Sequence, residues 1–375
     1  MRVILTGGGS AGHVNPALAI ANIIKVNEPE SEIIFVGTSK GLENDLVPKA
    51  GYELRHVEIS GIARSLSPSN IKTAFRVLTS PRKAKKLIKE FSPDIVIGTG
   101  GYACWPSLTA AAKMGIPTVL HEANATPGVA VRQLCGKMDV VMTNFKETAD
   151  KLSDKQRAMH VGMPMRGEFD SISKSEARKK LGISDDKIVI LSFGGSLGAP
   201  MVNRAALEIM QNFSSVNENV VHYHSSGSRE YDNMMKEYGE RKIGDCDSIE
   251  LSPYIYDMSF KMAAADIVIC RAGAMTLAEL ARMRATAVLI PSPNVTDNHQ
   301  YKNAKVLADA GAAVIIEEKE FDGDIVSNTV KRLAADKTLR KQMSENIGKF
   351  YDMETGKKIF AEIEKLVRSH KENKQ

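Results

Sequence analysis

Short runs of β-branched and aliphatic residues alternate with longer stretches of helical periodicity along the whole chain, the pattern of parallel sheets covered by helices. In the first half these runs predict strands near Val3–Leu5, Ile33–Val36, Leu54–Ile59, Asp94–Ile97, Thr118–Leu120, Val140–Met142 and Met159–Val161. The second half repeats the plan near Ile188–Phe193, Val220–Tyr223, Ser248–Leu251, Ile267–Cys270, Ala287–Ile290 and Ala313–Ile316. Each half opens on a strand that runs into a glycine turn, RVIL into TGGGSAGH and IVILSF into GGSLGA, a weak internal duplication. The expected fold is therefore α/β, with two Rossmann-like parallel-sheet domains. Their joint should fall in the aperiodic GMPMRGEF stretch, Gly162 to Phe169. The division predicted is a first domain over 1–163, a second over 164–340, and C-terminal helices over 341–375 that pack back on the first domain.

Composition narrows the class. The 375 residues are enough for two domains with proper cores. No apolar run exceeds five residues (Ala17 to Ala21, Ala312 to Ile316), whereas a membrane-spanning helix needs about twenty. The start, MRVIL running straight into glycines, lacks the apolar stretch of a secretory signal, so a cytosolic chain is expected. Cys104, Cys135, Cys246 and Cys270 lie far apart without a CxxC pair, which argues against structural zinc and a disulfide framework.

The net charge of +5 becomes informative once it is located. Residues 1–165 hold 20 basic and 14 acidic side chains, and the remainder is close to neutral. Within Arg64 to Glu90 stand eight basic residues (Arg64, Lys72, Arg76, Arg82, Lys83, Lys85, Lys86, Lys89) and a single acid. Ile71, Phe75 and Leu78 share this segment at helical spacing. A solvated helix with its apolar stripe on the core is one reading. The other is a docking face for an anionic bilayer, to which each basic residue would contribute about 1 kcal/mol. Nucleic acid is not expected, because only Phe75 interleaves an aromatic ring with these charges.

Gly7, Gly9 and Gly12 fit GxGxxG after a strand. A nicotinamide-binding site would also need an acid at the end of the second strand, where this chain has Val36-Gly37-Thr38-Ser39. Glycines recur after later strands, at Gly98, Gly100 and Gly101, at Gly194, Gly195 and Gly198, and at Gly273. Such turns bring backbone N–H groups to an anion at a helix N-terminus, beyond the carboxyl ends of parallel strands. A cleft for an elongated phosphorylated ligand is implied. The ATPase pattern GxxxxGK[ST] is absent.

The motifs RAGAMTLAEL (Arg271 to Leu280) and DNHQYKNA (Asp297 to Ala304) join GGGSAGHVNP, GTGGYACWP, HEANATPG and FGGSLGA in a recognisable order. Through these six motifs nearly the whole chain resembles the lipid II-forming N-acetylglucosaminyltransferases of bacterial peptidoglycan synthesis. The resemblance implies a GT-B fold, two facing domains with a cleft between them. It further implies inverting transfer of N-acetylglucosamine from UDP to the 4-hydroxyl of undecaprenyl-diphosphate-linked N-acetylmuramyl-pentapeptide, at the cytoplasmic face of the membrane, with no cofactor and no metal.

By the same resemblance the second domain holds the donor. Ser196 would donate to the diphosphate, Ile255 would meet uracil through its backbone, and Ala274, Met275, Thr276, Leu277, Ala278 and Glu279 would form a turn and first helical turn, with Glu279 accepting from the ribose. Gln300 would bind sugar hydroxyls with Asp297 as helix N-cap, and Arg166 would help hold the donor. The first domain would face the acceptor, with Ser10, Ala11 and Gly12 binding substrate and Asn124 positioning sugar. His13 is the first choice for the base, since imidazole titrates near neutrality, and Glu122 is the alternative. Ala11, Val131, Met163 and Leu197 depart from the family pattern, and none of them is a catalytic group. Asp245-Cys246-Asp247 spells DxD but sits in a polar loop, and is not read as a metal site. The rival readings are another GT-B lipid glycosyltransferase, a UDP-N-acetylglucosamine 2-epimerase, and a nucleotide-binding scaffold without turnover.

Overall fold

In the computed structural model the described residues are 1–59, 69–165, 172–195, 197–243 and 246–374, and side chains of the helix Ser69–Phe91 are described from Ser80 onward. Among the described residues thirteen strands form two all-parallel sheets. The first contains β1 (Arg2–Thr6), β2 (Glu32–Gly37), β3 (Glu53–His56), β4 (Ile95–Gly98), β5 (Thr118–Glu122), β6 (Val140–Thr143) and β7 (Ala158–His160), in the order β3-β2-β1-β4-β5-β6-β7. The second contains β8 (Ile188–Phe193), β9 (Val220–Ser225), β10 (Ile249–Ser252), β11 (Ile267–Cys270), β12 (Thr286–Leu289) and β13 (Ala313–Ile315), in the order β10-β9-β8-β11-β12-β13. Each strand overlaps a run read from the sequence. In both sheets the order reverses beside the opening strand, between β1 and β4 and between β8 and β11, where the carboxyl ends of a parallel sheet leave room for a ligand.

The central strands of the first sheet are buried on both faces, which is why they are largely apolar rather than alternating, whereas the edge strand β3 is part-exposed. Val3 and Leu5 of β1 join one core with Phe35, Ile20 and Ile24, while Ile4 joins the other with Val36, Val96, Leu108 and Leu120. The helix Ser69–Phe91 buries Ala84 and Ile88 in that second core and leaves Arg82, Lys83, Lys85, Lys86 and Lys89 exposed. Lys83 pairs with Glu58 at 3.1 Å and Lys86 with Glu90 at 3.9 Å, exposed pairs of small energetic weight. The apolar stripe read at Ile71, Phe75 and Leu78, and the charges Arg64, Lys72 and Arg76, lie outside the described side chains.

The chain divides into one unit of Met1–Arg166 with Asp352–Gln375 and another of Gly167–Tyr351. Segment 341–375, read as one C-terminal element, is therefore split. Met343 of the helix Lys337–Gly348 fills the core of the second unit, whereas Ile359, Ile363 and Val367 of the helix Thr355–Glu372 complete the first core beside Ala17 and Ile20. Helical periodicity runs through both helices alike, so it could not show that they serve different cores.

Candidate active site

In the first unit the turn after β1 delivers the chain into the helix Ala11–Asn27, with Ser10 extended at the N-cap. Ser10 accepts backbone bonds from His13 and Val14, both at 3.1 Å, which fixes His13 on the first helical turn. His13 Nδ1 lies 3.1 Å from the carbonyl oxygen of Thr99, in the turn after the neighbouring strand β4. A carbonyl can only accept, so Nδ1 carries the hydrogen and donates, and this tautomer places the lone pair on Nε2. Thr99 Oγ1 donates in return to the His13 carbonyl at 2.6 Å.

Gly101 makes this arrangement possible. Its φ is +74°, and a Cβ there would stand 2.6 Å from the Gly8 carbonyl oxygen and 3.0 Å from His13 Cδ2. The glycine turn after β4, read from the sequence as an anion loop, thus forms the wall against which the imidazole lies.

Glu122 ends β5, the next strand along. It is buried, and both carboxylate oxygens are engaged within its own loop. Oε1 accepts from the Asn124 backbone at 2.8 Å and the Asn124 side chain at 3.1 Å, and Oε2 accepts from the Gly128 backbone at 2.7 Å. Burial pushes the Glu122 pKa above the usual carboxylate value although these donors pull it down. Asn124, half-buried, also accepts from Thr148 Oγ1 through its carbonyl.

The second unit repeats the plan at the carboxyl ends of β8 and β11. The turn after β8 enters the helix Pro200–Ile209 with proline in its first turn, where a missing N–H costs nothing. Gly227, after β9, packs so tightly on this turn that a Cβ would stand 2.0 Å from the Gly198 nitrogen, and its φ is +82°. After β11, Gly273 caps the helix Ala274–Met283. Ala274, Leu277 and Ala278 are buried, whereas Met275, Thr276 and Glu279 are part-exposed. Ile255 is buried, while Tyr256 beside it is 92 % exposed. Gln300 begins the helix His299–Asp309 and fixes its amide by accepting the Ser292 N–H on Oε1 at 2.9 Å, which leaves the amide nitrogen as its donor end.

Asp297 is not the cap of that helix. Asn298 occupies the position, without a side-chain bond to the helix, and both residues are left-handed, with φ of 54° and 51°. Short polar side chains tolerate this conformation better than others do. Ser196, Arg166 and Asp245 fall outside the described residues. Among the described residues no group of three or more His, Cys, Asp and Glu side chains could hold a metal ion.

Residues 3–143 match the glycosyltransferase family 28 N-terminal domain, and residues 189–365 match the family's C-terminal domain. The chain belongs to glycosyltransferase family 28. It is 43% identical over 346 residues to the UDP-N-acetylglucosamine--N-acetylmuramyl-(pentapeptide) pyrophosphoryl-undecaprenol N-acetylglucosamine transferase of Acetivibrio thermocellus, covering 92% of this chain and 93% of the relative. Among solved structures, MurG of Acinetobacter baumannii superposes with a TM-score of 0.77 at 27% identity, covering 97% of this chain and 99% of that one. A putative UDP-N-acetylglucosamine 2-epimerase from Listeria monocytogenes, 16% identical with a TM-score of 0.70 over 97% of this chain and 95% of its own, shares the fold. The architecture of this family 28 glycosyltransferase is accordingly GT-B, the fold class read from its sequence.

Three residues of the glycosyltransferase's first unit were not singled out from the sequence. Thr99 holds the imidazole through its backbone carbonyl, which any residue could supply, and adds its hydroxyl bond to the His13 carbonyl. Thr38 reads only as part of the turn that ends the second strand, and Glu43 belongs to none of the motifs. In the folded chain Glu43 is fully buried beneath the first glycine turn, where it accepts from Gly9 N, Thr38 N and Thr38 Oγ1, each at 2.8 Å.

Proposed function

We propose that this glycosyltransferase moves N-acetylglucosamine from UDP to the 4-hydroxyl of undecaprenyl-diphosphate-linked N-acetylmuramyl-pentapeptide, with inversion at the sugar's C1. The observation that carries the reading is near-full-length identity to a transferase whose name states this donor and acceptor. The site chemistry agrees with it. His13, held by the Thr99 carbonyl in the tautomer with its lone pair on Nε2, accepts the proton of the attacking hydroxyl. The hydroxyl oxygen bonds to C1 as the bond from C1 to the diphosphate oxygen breaks, and UDP leaves with the electron pair. Glu122 braces the loop that carries Asn124 rather than serving as base, because both its oxygens already accept from that loop.

In this reading the leaving diphosphate meets Ser196 and the N-terminal end of the helix Pro200–Ile209, where backbone dipoles stabilise negative charge. Ile255 takes uracil, Glu279 the ribose and Gln300 the sugar hydroxyls. Residues 274–278 supply the backbone of the helix entrance, and Arg166 adds a cation. Ser10, Ala11 and Gly12 face the acceptor diphosphate. The deciding experiment is acceptor-dependent transfer of labelled N-acetylglucosamine.

The same reading gives the basic helix Ser69–Phe91 a partner. Its described buried face and its five exposed cations suit an enzyme that works peripherally at an anionic membrane surface, on the cytoplasmic side where UDP-sugars reside. No helix among the described residues is long and apolar enough to cross a membrane. Reversing Arg82, Lys83, Lys85 and Lys86 to Glu should abolish sedimentation with phosphatidylglycerol vesicles at low salt, since each basic residue contributes about 1 kcal/mol. Undiminished sedimentation would remove this helix from the docking face.

A further inference from the structure

The Glu43 carboxylate occupies a space that three glycines leave for it. A Cβ at Gly41 would stand 1.9 Å from Oε2, one at Gly8 would stand 2.4 Å from Oε1, and one at Gly37 would stand 2.6 Å from Cγ. Burial alone would raise its pKa, but the donors from Gly9, from the Thr38 and Glu43 backbones and from the Thr38 hydroxyl outweigh that and hold it below the usual value. Glu43 is therefore a buried, ionised group. It belongs to a different helix, Glu43–Lys49, and reaches under the turn from behind.

Two consequences follow for the turn that carries His13. The Gly9 N–H is consumed by Glu43 Oε2 and points away from any ligand on the open side, so within this turn anion contacts fall to the helix entrance at Ala11 and Gly12. The position of Gly8 and Gly9 also bears on where the His13 backbone starts its helix and on the glycine that lies against its ring. Ser10, next along, accepts the His13 N–H, and the Gly8 carbonyl abuts Gly101, which walls the ring.

We propose that Glu43 is a positioning residue for the transfer reaction. It clamps the first glycine turn so that His13 and the helix entrance present a fixed geometry to the acceptor. The proposal rests on the reading of His13 as the base. Loss of the clamp should misplace the base, and displacements of about 1 Å typically cost about 100-fold in rate. Glu43→Gln keeps the shape but turns one acceptor into a donor facing Gly9 N–H or Thr38. Its kcat should fall at least about tenfold with the KM for UDP-N-acetylglucosamine within about twofold of wild type, since the donor is held by the other unit. The acceptor KM should be no more than about twofold above wild type, because the Gly9 N–H points away from the acceptor and the Ala11 and Gly12 contacts of the helix entrance are retained. A merely loosened fold would raise it further.

Thr38→Val removes one donor and keeps the charge, so it covers the case in which Glu43→Gln does not fold. It should lower kcat in the same pattern to a smaller degree. Wild-type kcat in a folded Glu43→Gln protein, an acceptor KM raised by more than about twofold, or wild-type kcat in Thr38→Val where Glu43→Gln does not fold would each overturn the proposal. His13→Ala, assayed alongside, separates the two ideas. If His13→Ala is inactive and Glu43→Gln is not impaired, only the clamp fails. If His13→Ala turns over normally, the base reading fails and takes the clamp with it.

Discussion

His13→Ala is expected to lower kcat by about 100- to 10,000-fold, the range supplied by a general base, while the KM for UDP-N-acetylglucosamine stays within about twofold. The expectation rests on one hydrogen bond. The Thr99 carbonyl can only accept, so it selects the tautomer that donates from Nδ1. The ring lies against Gly100 and Gly101, which leaves little rotational freedom. Donor affinity is spared because His13 sits in Met1–Arg166, whereas Ile255, Glu279 and Gln300 sit in Gly167–Tyr351. Steady-state kinetics with each substrate varied in turn would check this, and a parallel loss of donor affinity would remove His13 from the base role.

The second large effect is on stability in acid. His222 and His224 project from β9 onto Ser192 of β8, whose hydroxyl lies 2.8 Å from His222 Nε2 and 2.7 Å from His224 Nδ1, and Ser214 Oγ lies 3.0 Å from His222 Nδ1. Both rings are fully buried, and burial lowers each pKa to about 3. The unfolded chain titrates near 6.5, so between pH 6.5 and 3 it binds more protons than the folded one. Stability is complete above that window and is lost as pH falls through it, at up to about 1.4 kcal/mol per pH unit for each histidine.

Among the described residues the first unit has one fully buried histidine, His121, lowered by burial to about 4, and two incompletely buried ones, His160 and His370, lowered by burial in the same direction. Residues 167–351 should therefore unfold first as pH drops from 6.5 to 4.5. Trp105 is the single tryptophan and lies in the first unit, so it reports that unit alone. Urea unfolding followed by circular dichroism should lose stability faster with acid than unfolding followed by Trp105 fluorescence. Coincident, pH-independent transitions above pH 4.5 would show that the histidine pair is not held neutral.

The fold was legible because it is written in local pattern. Strands such as Ile267–Cys270 are continuous apolar runs, since a parallel sheet covered on both faces leaves no polar side. Glycine turns at the sheet's carboxyl edge were legible for the same reason. What pattern could not convey was purpose at long range. Gly101 read as part of an anion loop and proved to be space for a ring 88 residues earlier in the chain. Glu43 belonged to no motif in the sequence, because its partners Gly9 and Thr38 become neighbours only when β1 pairs with β2. The cap at Asp297 was misplaced because two successive left-handed residues are a tertiary imposition that composition does not announce. The C-terminal helices were grouped together because amphipathic period says that a face is buried, not against which core.

The central claim is the transfer itself. Purified protein should be incubated with labelled UDP-N-acetylglucosamine and undecaprenyl-diphospho-N-acetylmuramyl-pentapeptide, with the lipid fraction and the free sugar nucleotide both followed. The predicted result is label in a lipid-linked disaccharide formed with inversion, and an unchanged donor when the acceptor is left out. Folded protein that binds the donor without labelling the lipid, or that isomerises the donor in the absence of acceptor, would contradict it.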